Sequence, residues 1–251
     1  MSSTEQMRWR KAMFMLGDVN QSRTPWTPDQ GAWELPGSDG PDGLFSPFVL
    51  PRPEDSIFAG PVPHALREAL VEIRTEVIGA MGARKLRALL ICGIEAGAGT
   101  SFLTGHLARQ LAEFTGRQTA VLRVRGNREK SARPGATART RVELSQRRTE
   151  LANLMELVAL GGDVSLPDLL RGDYFVSPLR EIRREFDLLI IDGPPVMKYR
   201  ETALLAARMD GVILIAEPGV TPRRWLRHAH ARLRRARADI LGMVFNRCHS
   251  T

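Results

Sequence analysis

From residue 64 onward, apolar residues recur in two alternating rhythms. The run Ala88-Leu89-Leu90-Ile91-Cys92 is short and wholly apolar, the pattern of a strand buried on both faces, and the first strand is predicted at 86–92. After Gly93, Gly97 and Gly99 the spacing becomes helical. From Thr100-Ser101, the residues Leu103, Leu107, Leu111 and Phe114 fall on one face, and Gly116 marks the stop. A helix over 64–80 precedes the strand, with Leu66, Leu70, Ile73 and Val77 as its stripe. Further strands are predicted at 118–124, 186–192, 211–216 and 240–245. Helices are predicted at 148–160 and 165–171, from Ser177-Pro178, at 200–208 and at 222–237, and a basic loop at 125–147. Strands alternating with helices imply an α/β fold: a doubly wound, mainly parallel sheet with helices on both faces.

The first 63 residues break this rhythm. Ser3 with Gln6 fits a capping box and predicts a short helix over 1–16, stopped by Gly17. Prolines then punctuate 18–63, which reads as an extended arm in which Trp26, Trp33, Phe45 and Phe48 are candidates for docking. The expected division is an arm at 1–63 and a domain at 64–251.

Charge adds a constraint. The 251 residues carry a formal net charge of +8, almost all of it from arginine. A basic surface favours anionic partners such as phospholipid, nucleic acid or nucleotide, and charge alone does not choose among them. The helix at 222–237 concentrates Arg223, Arg224, Arg227, Arg232, Arg234, Arg235 and Arg237, while Trp225, Ala229, Leu233 and Ala236 are expected to pack on the sheet. Two cysteines, Cys92 and Cys248, end apolar runs and suit buried thiols rather than a metal site. With no leader-like or membrane-length apolar run, the expected location is cytoplasmic.

The candidate chemistry lies in the glycine loop. A strand, a glycine loop and a helix start have the layout of a phosphate-binding loop, with backbone N–H groups of Gly97, Ala98, Gly99, Thr100 and Ser101 available to an anion. The G-x-x-x-x-G-K-[ST] pattern requires a lysine where Thr100 stands, and Ile94 replaces its first glycine. Glu95 enters the loop, and an acid a few ångströms from a triphosphate is repulsive by on the order of 1–4 kcal/mol. The loop therefore reads either as a vestigial turn or as a nucleotide site. Asp192 reads either as a satisfied strand-end carboxylate or as a ligand to a Mg²⁺-bound water.

Several stretches resemble the bacterial tyrosine kinases (BY-kinases) of capsule and exopolysaccharide export, in the MinD/ParA branch of P-loop proteins. They are FDLLIIDGPPV at 186–196, DGVILIAEPGVTPR at 210–223 and ILGMVFNR at 240–247. The helix REALVEIRTEV at 67–77 is similar to the family's E-x-x-R-x-x-R oligomerisation helix, with Glu68 and Arg74 present and Val71 in the middle place. The resemblance covers 64–248. It implies ATP or ADP with Mg²⁺ as cofactor, Ser101 and Asp192 as metal-side residues, and Asn246 at a position that contacts adenine.

The departures decide the expected activity. Besides the lysine, an Asp-x-Asp motif serving Mg²⁺ is replaced by VLRVRGNRE, and the only tyrosines, Tyr174 and Tyr199, do not form the family's terminal cluster. Phosphoryl transfer depends on positioning and charge neutralisation, so no catalytic residue is assigned and nucleotide binding is expected to be weak or lost. The resemblance implies a non-catalytic accessory or scaffold protein, cytoplasmic and peripheral to the inner membrane. Its partner would be the cytoplasmic face of a membrane polysaccharide co-polymerase or synthase component. A homo-oligomer and membrane contact through basic faces are further options; nucleic acid is not expected. The alternatives are an active ATPase or tyrosine kinase with a rebuilt site, and a MinD/ParA-type positioning protein on membrane or DNA.

Overall fold

The computed structural model describes residues 13–15, 57–58, 64–125, 143–160 and 175–246. In chain order the first elements are β1 (Met13–Met15), α1 (His64–Arg84), β2 (Ala88–Gly93), α2 (Thr100–Thr115) and β3 (Thr119–Arg125). Next come β4 (Glu143–Arg148), β5 (Leu154–Leu160), α3 (Val176–Glu185), β6 (Leu188–Gly193) and α4 (Thr202–Ala206). The last are β7 (Gly211–Ala216), α5 (Arg223–Arg235) and β8 (Ile240–Phe245). The strands form one sheet in the order β1-β8-β7-β2-β6-β3-β5-β4, parallel throughout except where β4 meets β5.

Alternation along the strands divides the core in two, as a doubly wound sheet requires. Leu89 and Ile91 of β2, Val121 of β3 and Ile190 of β6 pack under α1 and α2, against Leu70, Ile73, Val77, Leu103, Leu107 and Leu111. Leu90, Cys92, Leu122 and Ile191 point the other way, against Leu179 and Ile182 of α3, Leu205 of α4, and Ala229 and Leu233 of α5. Trp225 and Ala236 lie partly buried against this second layer, where the basic helix was expected to pack.

Four expectations are corrected. The segment 148–160 is not a helix: Leu154–Leu160 is the strand β5, parallel to β3. Glu156, within that segment, is 1% exposed and answers a buried cation across the ladder. The C-terminal end of the expected basic loop is also sheet, because Glu143–Arg148 pairs antiparallel with β5. The expected helix over 1–16 is contradicted at Met13–Met15, which pairs with Met243–Phe245 and covers the otherwise open edge of β8.

The fourth concerns Phe114, which is 63% exposed rather than part of the apolar stripe, with the Arg74 guanidinium 4.4 Å from its ring centroid. The arm touches the domain at Ile57, a buried residue whose carbonyl lies against Gly105 of α2. Trp26, Trp33, Phe45, Phe48, the expected helix at 165–171, Tyr174 and Cys248 lie outside the described residues.

Candidate functional site

The glycine loop leaves the C-terminal end of the central strand β2 and feeds α2. Gly97 and Gly99 have φ of 89° and 84°, a left-handed backbone that costs other residues about 1–2 kcal/mol. Gly99 is doubly constrained, because a Cβ there would fall on the Asn246 amide nitrogen. Asn246 is 6% exposed, and its Nδ2 donates to the Ala98 carbonyl at 2.8 Å. The residue after β8 thus ties down the loop after β2. Ala98 is 1% exposed, and Thr100 turns its hydroxyl back over Gly93.

Two further loops brace this one. After β6, the Val196 and Met197 N–H groups donate to the carbonyls of Gly93 and Ile94 at 2.9 and 3.0 Å. After β7, the Thr221 hydroxyl donates to the Glu95 carboxylate and accepts from the Glu217 N–H at 2.9 Å. Glu95, expected to oppose a phosphate, is therefore engaged by the β7–α5 connection. The first N–H groups of α2 have no acceptor within the helix, so Gly97 to Ser101 retain the backbone chemistry of an anion cradle.

The electrostatic centre lies one to three strands away, on the α2 side of the sheet. Asp192 of β6 stands opposite Arg123 of β3 in the parallel register. Arg123 Nη1 donates to Glu156 Oε1 of β5 at 3.0 Å, and its Nε lies 3.7 Å from Asp192 Oδ2. The Arg123, Glu156 and Asp192 side chains are 8%, 1% and 10% exposed. One guanidinium thus lies between two carboxylates where water screens little. Ser101 and Asp192 are the side chains that would hold Mg²⁺. As a donor set they do not fit, because the carboxylate already shares a cation. Among the described residues, no three His, Cys, Asp or Glu side chains converge on a possible metal site.

The structure brings Asn246 against the loop and helix start formed by Gly97, Ala98, Gly99, Thr100 and Ser101, with Asp192 near the end of the next strand. Glu68 and Arg74 lie apart from them, on α1. Sequence reasoning named Asp192 and missed Glu156. The usable signal was an acid in an otherwise apolar run, five residues before the Gly161-Gly162 pair, which fits a buried ion pair as well as a helix face.

No protein-family model matches the chain. Over 193 residues it is 28% identical to EpsB of Ralstonia solanacearum, named as a tyrosine-protein kinase; the match covers 71% of this chain and 25% of EpsB. It is 28% identical over 83 residues to the tyrosine-protein kinase CpsD of Streptococcus agalactiae, covering 33% of this chain and 36% of CpsD. Its fold is that of the kinase domain of Escherichia coli tyrosine kinase ETK, with TM-score 0.56 and 21% identity over 74% of this chain and 79% of that one. The chain thus spans between a quarter and under half of the curated relatives it matches.

Proposed function

We propose, on the premise that this chain is a relative of the bacterial tyrosine kinases, that it is a non-catalytic accessory or scaffold protein of bacterial polysaccharide synthesis or export. It acts at the cytoplasmic face of the inner membrane, on a membrane-embedded co-polymerase or synthase component. The observation that carries this reading is the Arg123 guanidinium beside Asp192. A phosphoryl-transfer site places cations on the phosphate and acids on the metal. Here the places are exchanged: Thr100 replaces the loop's cation, and a cation ends β3 where acids are needed. Such a site keeps the loop's shape and lacks the charges that would stabilise a transition state, so ATP or ADP binding at Gly97 to Ser101 is weak or lost.

The exposed arginines of α5, Arg223, Arg224, Arg227, Arg234 and Arg235, support peripheral contact with anionic lipid beside the partner. Among the described residues, no helix is long and apolar enough to cross a membrane. Incubation of the full chain with ATP and Mg²⁺ tests the central claim. Neither the native chain nor Thr100→Lys should turn over ATP or acquire phosphotyrosine, because a single lysine leaves Arg123 in place. Turnover that Asp192→Ala abolishes would favour an active enzyme with a rebuilt site.

A further inference from the structure

The divalent ion implied by the fold meets the wrong charge arrangement at these strand ends. Arg123, Glu156 and Asp192 come from three adjacent strands in the order β6-β3-β5, and all are nearly buried. The parallel register sets Arg123 against Asp192, and Val121 of the same strand against Glu156. Arg123 therefore reaches one carboxylate on each side. A cationic centre 3.7 Å from Asp192 shares that carboxylate's charge, which a hydrated divalent ion would need unshared.

We propose that Arg123 is the resident cation of this site. It takes the place at Asp192 that a divalent metal needs, and the loop and strand ends are held together without metal. Deleting the guanidinium removes the cation that Asp192 and Glu156 share, and carboxylates of this kind are the donor chemistry of a Mg²⁺ or Mn²⁺ site. The inference deepens the non-catalytic reading and rests on it for the absence of a phosphoryl-transfer role. Its test does not use ATP turnover, so either can fail alone.

The experiment titrates the full chain with Mn²⁺ alone. The loss of the free-ion paramagnetic resonance signal and the melting temperature are read together. The native chain and Arg123→Lys, which keeps the charge, should leave the Mn²⁺ signal and the melting temperature unchanged. Arg123→Ala should bind Mn²⁺ at least about tenfold more tightly than the native chain and be stabilised by it. Adding Asp192→Asn to Arg123→Ala should remove both effects. Arg123→Ala that folds only when Mn²⁺ is supplied supports the same conclusion. Arg123→Gln keeps a hydrogen-bond donor without the charge, and it decides the matter if Arg123→Ala does not fold at all. Native chain that binds Mn²⁺ in a manner lost with Asp192→Asn overturns the proposal. So does a folded Arg123→Ala or Arg123→Gln that binds none.

Discussion

Single residues set the shape of the loop and part of its cost. Gly99→Ala meets two penalties: a left-handed φ of 84° and an amide where its Cβ would go. We expect a loss of roughly 2–3 kcal/mol, read as a lower urea midpoint. Pairing it with Asn246→Ala should recover only the steric part, since the backbone angle remains. His106 poses a different problem. It is 2% exposed, packs edge-on to Phe102 at 4.4 Å, and its Nε2 has no hydrogen-bond partner among the described residues. Burial, and then the Arg109 charge, push its pKa down to about 4 from 6.5.

The unfolded chain therefore takes up this proton near pH 6.5, and the folded one refuses it until about 4. Stability present above pH 6.5 is lost as pH falls through that window, by roughly 1–3 kcal/mol. His106→Leu should flatten that decline in urea melts at pH 7.5 and 5 and be no less stable at pH 7.5. A native decline no steeper than the variant's would refute the assignment.

Among elements, the ends of the strands opposite the site are joined through one carboxylate. Asp210 Oδ2 accepts the Arg87 and Ala88 N–H groups at 2.9 and 2.8 Å, and Arg183 of α3 donates to both of its oxygens at 3.0 and 3.1 Å. Arg87 in turn donates to the carbonyls of Arg183 and Phe186, both at 3.1 Å. β2, β7 and α3 thus meet at a single group, partly exposed to water. Asp210→Ala leaves two backbone donors and a guanidinium without that acceptor. We expect a loss of about 2 kcal/mol, measured by thermal melting, with Asp210→Asn recovering part of it.

Elements were also where the sequence pattern misled. β7 and β8 run over the predicted 211–216 and 240–245, because uninterrupted apolar stretches bounded by turns admit little else. At 154–160 the one acid and the leucines at 154 and 157 fit a helical face equally well. The choice fell to β3, whose edge needed a partner, and to Arg123, which needed an acid.

At the scale of the molecule, the two faces of the sheet carry different surfaces. α5 on one face presents exposed arginines, whereas α1 on the other presents Glu68, Glu72 and the half-exposed Val71. Arg74 is already occupied inside the molecule by the Phe114 ring. If copies associate through α1, as proposed from Glu68 and Arg74, then Glu68→Arg should reduce the mass found by light scattering without lowering the melting temperature. An unchanged mass in a chain that is oligomeric to begin with would remove α1 from that interface.

Several features followed from sequence alone: the doubly wound parallel plan, the strand–loop–helix layout around Gly93 to Ser101, and the missing lysine at Thr100. They rest on local periodicity and on residue types at fixed spacing, and neither depends on distant neighbours. Other features belonged to the tertiary structure: the strand identity of 154–160, the pairing of Met13–Met15 with β8, the engagement of Glu95 by Thr221, and the bridging of Arg123 between Glu156 and Asp192. Each joins residues far apart in the chain, and a buried charge or an open strand edge is resolved only by what the fold brings beside it.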